Sequence, residues 1–245
     1  MRPILSLIVV AAVCAGSRGQ PLKHDDVRDP TIGISIWSVH ARPRGVPAWQ
    51  REIDSIAGMG FGGVTILPQF FVDLRTGQVT LNDPTPNPKF GGMTDWELSA
   101  AIRRGKSLGL VVTVSPTLEA ANRAVFRGHI AFNDPRPDVP ESRANPDNGA
   151  DSPAAEQLFW ASYTRHIAHL ARISQEAGAD RFNIGAELAA LDSDPRNARH
   201  WAQLIDAADQ QFRGELGYTS VHWNVDHPAA IADIWANPKI DYISC

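Results

Sequence analysis

Cysteine is nearly absent. The 245 residues hold two, Cys14 inside an N-terminal apolar run and Cys245 at the last position. Cleavage of that run would leave one thiol, which excludes an intrachain disulfide and leaves stability to the core. Compact signatures of other chemistries are missing too. No GxGxxG or GxxxxGKS/T turn follows a strand, and there is no HExxH, CxxC or EF-hand loop. No metal site and no cofactor is therefore indicated. The net charge of −4 comes without a basic stripe, which argues against a nucleic-acid partner. Past the N-terminus no stretch is long and apolar enough to span a membrane.

What is present is ordinary globular composition, 43% hydrophobic and 20% charged, at a length that suits one large domain. The opening "MRPILSLIVVAAVCAGSRGQ" has an early Arg, an apolar run over Ile4–Gly16 and small residues at Ala15–Ser17. That is the layout of a secretory signal. A lipoprotein anchor at Cys14 is disfavoured, because Val13 stands where such signals prefer a small residue. We expect a signal peptide over 1–19, a polar linker over 20–30, one domain over 31–245, and a secreted or periplasmic destination.

From residue 31 short apolar strands alternate with helical periods. "TIGISIWSV" (31–39), "GGVTILPQF" (62–70), "LVVTVSPTLE" (110–119), "RFNIGAEL" (181–188), "LGYTSVHWN" (216–224) and "IDYISC" (240–245) read as strands. Between them, Trp49, Ile53 and Ile56 mark one helix, and Thr94 with Glu97 signs a capping box for the next. Ser152-Pro153 opens a long helix that stops at Gly178, and Trp201, Ile205 and Ala208 mark another. The segment 120–152 lacks periodicity and reads as a functional or disordered loop.

Strict strand–helix alternation implies an α/β fold with a parallel sheet and crossover helices. Polar residues at strand C-termini favour a (β/α)8 TIM barrel over a doubly wound sheet, because that rim is where barrel chemistry collects. Strand alternation puts Phe182, Ile184 and Ala186 on the helix side, and Asn183, Gly185 and Glu187 on the interior. Six of the eight units are recognisable, so we expect a partial barrel, a fragment truncated after the sixth strand.

Several pieces, in order, resemble glycoside hydrolase family 113, retaining β-mannanase-like enzymes related to clan A. They are "VFRGHIAF" (125–132), "FWASYTRHIAHLA" (159–171), "FNIGAEL" (182–188), "HWAQLID" (200–206), "LGYTSVHWN" (216–224) and "IWANPKIDYIS" (234–244). The resemblance implies a (β/α)8 barrel, an oligo- or polysaccharide substrate such as β-mannan, no metal, and Glu187 as general acid/base. It also implies a nucleophile Glu on a seventh strand, beyond Cys245. Ala186 departs from the pattern, standing where related enzymes carry a polar residue.

Retaining hydrolysis needs two carboxyl groups about 5–5.5 Å apart, and Glu187 is one candidate, with a rim ion pair to an Arg as its structural alternative. Arg127 would hold the long loop or reach a substrate hydroxyl. Trp37 would stack on a sugar or pack in the core, and Gln69 would bond hydroxyls or cap its strand. His222, Trp223 and Asn224 end the fifth strand, where His222 or Trp223 would contact sugar and the other pack behind it. Glu119 as the second carboxylate is disfavoured, since neighbouring strands do not place acids on opposite faces of a sugar. Trp49, Trp160 and Trp201 read as core. Two other functions stay open. One is a carbohydrate-binding pseudoenzyme. The other is a lyase or aldolase, disfavoured because neither Lys106 nor Lys239 ends a strand.

Overall fold

The structure, a computed structural model, describes residues 33–37, 48–82, 84, 92–132, 153–221 and 231–244. The expected signal peptide (1–19) and linker (20–30) lie outside the described residues, as does the part of the 120–152 loop over 133–152. Of residues 33–37 the backbone path is described.

Helix α1 (Ala48–Gly58) forms where Trp49, Ile53 and Ile56 recur on one stripe, and all three are buried. Helix α2 (Asp95–Ser107) begins with the expected reciprocal cap. The Thr94 hydroxyl accepts from the Glu97 amide at 3.2 Å, and the Glu97 carboxylate accepts from the Thr94 amide at 2.9 Å. Pro153 opens helix α3 (Pro153–Ala177), and Gly178, at φ +88°, ends it in the left-handed conformation that glycine tolerates. Helix α5 (Ala198–Asp209) buries Trp201, Leu204, Ile205 and Ala208. Two short helices, α4 (Ala189–Asp192) and α6 (Ala232–Trp235), complete the set among the described residues.

Six strands make one parallel wall in chain order: β1 (Gly33–Trp37), β2 (Gly63–Leu67), β5 (Val111–Val114), β7 (Arg181–Ala186), β8 (Glu215–Thr219) and β9 (Tyr242–Ser244). Each strand neighbours the next because a helix returns the chain between them, as short right-handed crossovers require. The helix-facing side is apolar. Val64, Ile66, Val112, Val114, Phe182 and Leu216 are buried there with the helices' Phe159, Tyr163, Ile167 and Trp201. Burial of each such large side chain contributes about 1.5–3 kcal/mol. Trp49, Trp160 and Trp201 are core, as expected. The inner side is polar. Asn183 donates from Nδ2 to Ser115 Oγ (3.0 Å) and Thr219 Oγ1 (2.8 Å), and accepts from the Tyr242 hydroxyl at 2.6 Å. Thr219 Oγ1 and Ser244 Oγ are 3.0 Å apart.

The second and third strands of the sequence reading are each two strands. Pro68 divides β2 from β3 (Gln69–Val72), and Pro116 divides β5 from β6 (Thr117–Ala120). Proline has no N–H for the ladder, so each strand bends out of the wall at that point. Beyond the bend β3 and β6 pair again in parallel, and β4 (Val79–Thr80) joins β3 as an antiparallel edge. This small rim sheet hangs on α3. Ser162 Oγ accepts from the Val79 amide at 3.1 Å, and His166 Nε2 lies 3.1 Å from the Val79 carbonyl oxygen. The rim strand β4 and helix α4 carry no sequence signal that the alternation would register. Among the described residues no helix is long and apolar enough to cross a membrane.

Candidate active site

Glu187 follows β7, but not by simple alternation. Residues Asn183 and Ala186 of β7 oppose Gly217 and Thr219 of β8, so three steps on one strand face two on the other. This is a β-bulge, and it reverses the faces beyond it. Ala186 therefore sits in register with Thr219, whose side chain belongs to the inner polar belt. Gly185 turns outward, where an added Cβ would lie 2.7 Å from the Tyr163 hydroxyl on α3 and 3.4 Å from the Tyr218 ring. The expected parity, with Gly185 inside and Ala186 outside, is corrected on both residues.

Glu187 reaches the rim through a backbone conformation instead. Its φ is +57°, a left-handed value that costs a non-glycine residue about 1–3 kcal/mol and tends to occur where a side chain must be aimed. Its amide donates to the Thr219 carbonyl at 2.7 Å, so β8 holds it in place.

A guanidinium meets it there. Arg127 lies in a 3-10 turn over Arg127–His129 that follows β6. Its Nη1 donates to Glu187 Oε2 at 2.5 Å, and its Nε donates to Glu119 Oε1 at 3.1 Å, with Nη2 reaching the same Glu119 oxygen. The side chains are graded in exposure, 6% for Glu119, 11% for Arg127 and 37% for Glu187. The planar fork of Arg suits this double engagement. The buried Glu119 anchors Arg127, and Arg127 holds the exposed Glu187. Backbone packing tightens the unit, since a Cβ on Gly128 would come within 3.2 Å of the Glu187 carbonyl oxygen. Phe126 stays partly exposed beside it, its ring 5.6 Å from the Arg127 Cζ.

The remaining candidates are scattered. Gln69 begins β3 fully buried, and among the described residues neither amide atom has a hydrogen-bond partner; in register beside it, Thr117 Oγ1 has none there either. Gln69 thus presents no surface to a ligand. Trp37 closes β1 opposite Leu67, with its side chain outside the description. His222, Trp223 and Asn224 lie outside the described residues. Glu119 is drawn into the Arg127 pair. Lys106 and Lys239 form ion pairs with Asp180 and with Asp206 and Asp209, and neither lysine stands at the C-terminal end of a strand. Among the described residues no group of three His, Cys, Asp or Glu could hold a metal.

Three residues went unread. The chain has only three tyrosines, and each hydroxyl bonds to β7 or the turn after it. Tyr163 donates to the Ile184 carbonyl at 3.1 Å, Tyr242 to Asn183, and Tyr218 accepts from the Leu188 amide at 3.1 Å. Burial pushes all three hydroxyls above the usual tyrosine range, so they remain protonated. The scarcity of tyrosine was the available signal.

A parallel strand–helix wall with a carboxylate held at its C-terminal rim is the layout in which (β/α)8 barrels gather their active sites. A profile of Glycoside Hydrolase Family 113 matches residues 89–245, more than half of the sequence, and the chain belongs to that family. Solved structures agree on the fold. The GH113 β-mannanase AaManA from Alicyclobacillus acidocaldarius, in complex with ManMIm, superposes with a TM-score of 0.64 at 19% identity, over 86% of this chain and 59% of that one. Another GH113 β-1,4-mannanase structure superposes at 0.56 with 22% identity, over 73% and 52%. The chain therefore spans between half and three-fifths of the length of these relatives. No curated protein matches it.

Proposed function

We propose that this chain carries the acid/base half of a retaining glycoside hydrolase acting within β-mannan or a related β-linked glycan. The observation that carries the reading is Glu187, held at the rim after the fourth wall strand of a family 113 chain. In the first step Glu187 gives its proton to the glycosidic oxygen as the C1–O bond breaks, while a second carboxylate bonds to C1. In the second step Glu187 takes a proton from water, whose oxygen displaces that carboxylate. Arg127 engages Oε2, which leaves Oε1 to face the glycosidic oxygen. The second carboxylate would come from outside the described residues, since Glu119 is buried beneath Arg127 while Glu187 reaches the surface. The N-terminal apolar run supports export; N-terminal sequencing of secreted material should begin near residue 20.

The ion pair itself favours a second reading, a carbohydrate-binding pseudoenzyme in which Glu187 is a structural partner of Arg127. Hydrolysis of manno-oligosaccharides by the full-length gene product separates the two. Activity abolished in Glu187→Gln supports the enzyme. Oligosaccharide binding without hydrolysis by the native protein supports the binder.

A further inference from the structure

Both backbone amides that flank the Glu187 α-carbon are held by adjacent residues of β8. The Glu187 N–H donates to the Thr219 carbonyl at 2.7 Å, and the Leu188 N–H donates to the Tyr218 hydroxyl at 3.1 Å. We propose that Tyr218, acting with Asp192, is a positioning residue that keeps Glu187 in its left-handed conformation and so fixes where its carboxylate points. This rests on the reading of Glu187 as the acid/base.

The chemistry of the contact is specific. A phenol oxygen can accept from Leu188 while its own proton goes elsewhere, and that proton goes to Asp192 Oδ2 at 2.8 Å. Asp192 closes the loop, because its amide donates to the Leu188 carbonyl at 2.9 Å. Residues 187–192 thus form a ring of contacts around one hydroxyl, and Leu188, Tyr218 and Asp192 are all buried. The ring is braced from α5 and its approach. Trp201 Nε1 and Asn197 Nδ2 both donate to the Leu191 carbonyl, at 3.1 and 3.0 Å, and the Trp201 ring packs edge-on to Tyr218 at 5.6 Å.

Deleting the hydroxyl alone would leave the buried Leu188 N–H without its acceptor and take one donor from the Asp192 carboxylate. The left-handed strain at Glu187 would then relax by rotation about its own backbone, and the carboxylate would swing away from Arg127. The ring of Tyr218 would still fill its place against Trp201.

The test is Tyr218→Phe in the full-length gene product, assayed on two substrates. One is an unactivated β-1,4-manno-oligosaccharide, whose departing oxygen needs a proton. The other is a dinitrophenyl β-mannobioside, whose departing oxygen does not. The expected result is a fall in kcat/KM of at least about tenfold on the oligosaccharide, with kcat/KM for the dinitrophenyl substrate close to the native value, because that ratio reports the first step, in which this leaving group needs no proton. Equal losses on both substrates, or no loss on either, would overturn the proposal. Asp192→Asn, which keeps the volume and weakens the acceptor, should give the same pattern more mildly, and it decides the matter should Tyr218→Phe fail to fold. Glu187→Gln is the control. If it cleaves the oligosaccharide at the native rate, the acid/base reading itself falls. If it shows the leaving-group pattern and Tyr218→Phe does not, only the positioning role falls.

Discussion

The wall strands of this protein leave the sheet in two different ways. β2 and β5 are cut by Pro68 and Pro116, and the chain beyond each proline pairs again as a separate rim sheet. β7 carries no proline; it leaves through a bulge and a left-handed glutamate. The prolines act through a missing donor, a property of one residue. The bulge acts through the register of two strands, a property of neither alone. One device moves a whole segment, and the other turns a single side chain.

Arg127 joins the two regions, since Glu119 sits on the proline-bent side and Glu187 on the bulged side. Arg127→Ala should part them. It leaves the buried Glu119 carboxylate without its partner, and we expect a loss of about 3–5 kcal/mol, read as a lower denaturant midpoint with an unchanged slope. Gly185→Ala attacks the bulge alone, where the new methyl would meet the Tyr163 hydroxyl. Overpacking of this kind costs about 1–3 kcal/mol, and it should lower oligosaccharide turnover along with the thermal midpoint. A stable, fully active Gly185→Ala would mean that the bulge tolerates a second geometry.

The rim sheet responds to pH through His166, which lies against the Val79 carbonyl and 5.0 Å from the Phe70 ring. Burial, with smaller contributions from Arg165 and His169, lowers its pKa, while the Val79 carbonyl opposes the shift. The unfolded chain then binds the proton more readily than the folded one. Stability should be complete above the ordinary histidine value of about 6.5, and should fall as pH drops from there through the lowered folded value. His166→Gln should flatten that acid slope in a series of thermal melts. The smallest effect belongs to a site remote from both regions. Thr94→Ala removes the α2 cap at a cost of about 1 kcal/mol, without altering turnover or the acid slope.

How far the sequence could be read follows the same division. The helix starts at Thr94 and Pro153, the stop at Gly178, and the six wall strands are all local patterns; each is found within the stretch the spacing marks, though Pro68 and Pro116 cut two of those stretches in two. Glu187 was also placed at the rim, though by an alternation that the bulge breaks. Residue identity betrays neither the register shift nor the contact between Tyr218 and Asp192, 26 residues apart. Arg127, one of four arginines in the segment 120–152, reads from the sequence as a loop anchor or a contact to a substrate hydroxyl. Which carboxylates it meets depends on β6 and β7 being brought together. Gln69 read as a polar residue at a strand end, and only the packing reveals that it is enclosed.

The order of the wall has a consequence for folding. Because neighbours in the sheet are neighbours in the chain, each strand–helix unit can dock on the one before it as it leaves the ribosome. Glu187 emerges with β7, yet the carbonyl and hydroxyl that hold its two flanking amides belong to Thr219 and Tyr218 of β8. A nascent chain ending at residue 200 would own the carboxylate without its orientation. The reactive geometry comes into being one unit later than the residue that bears it.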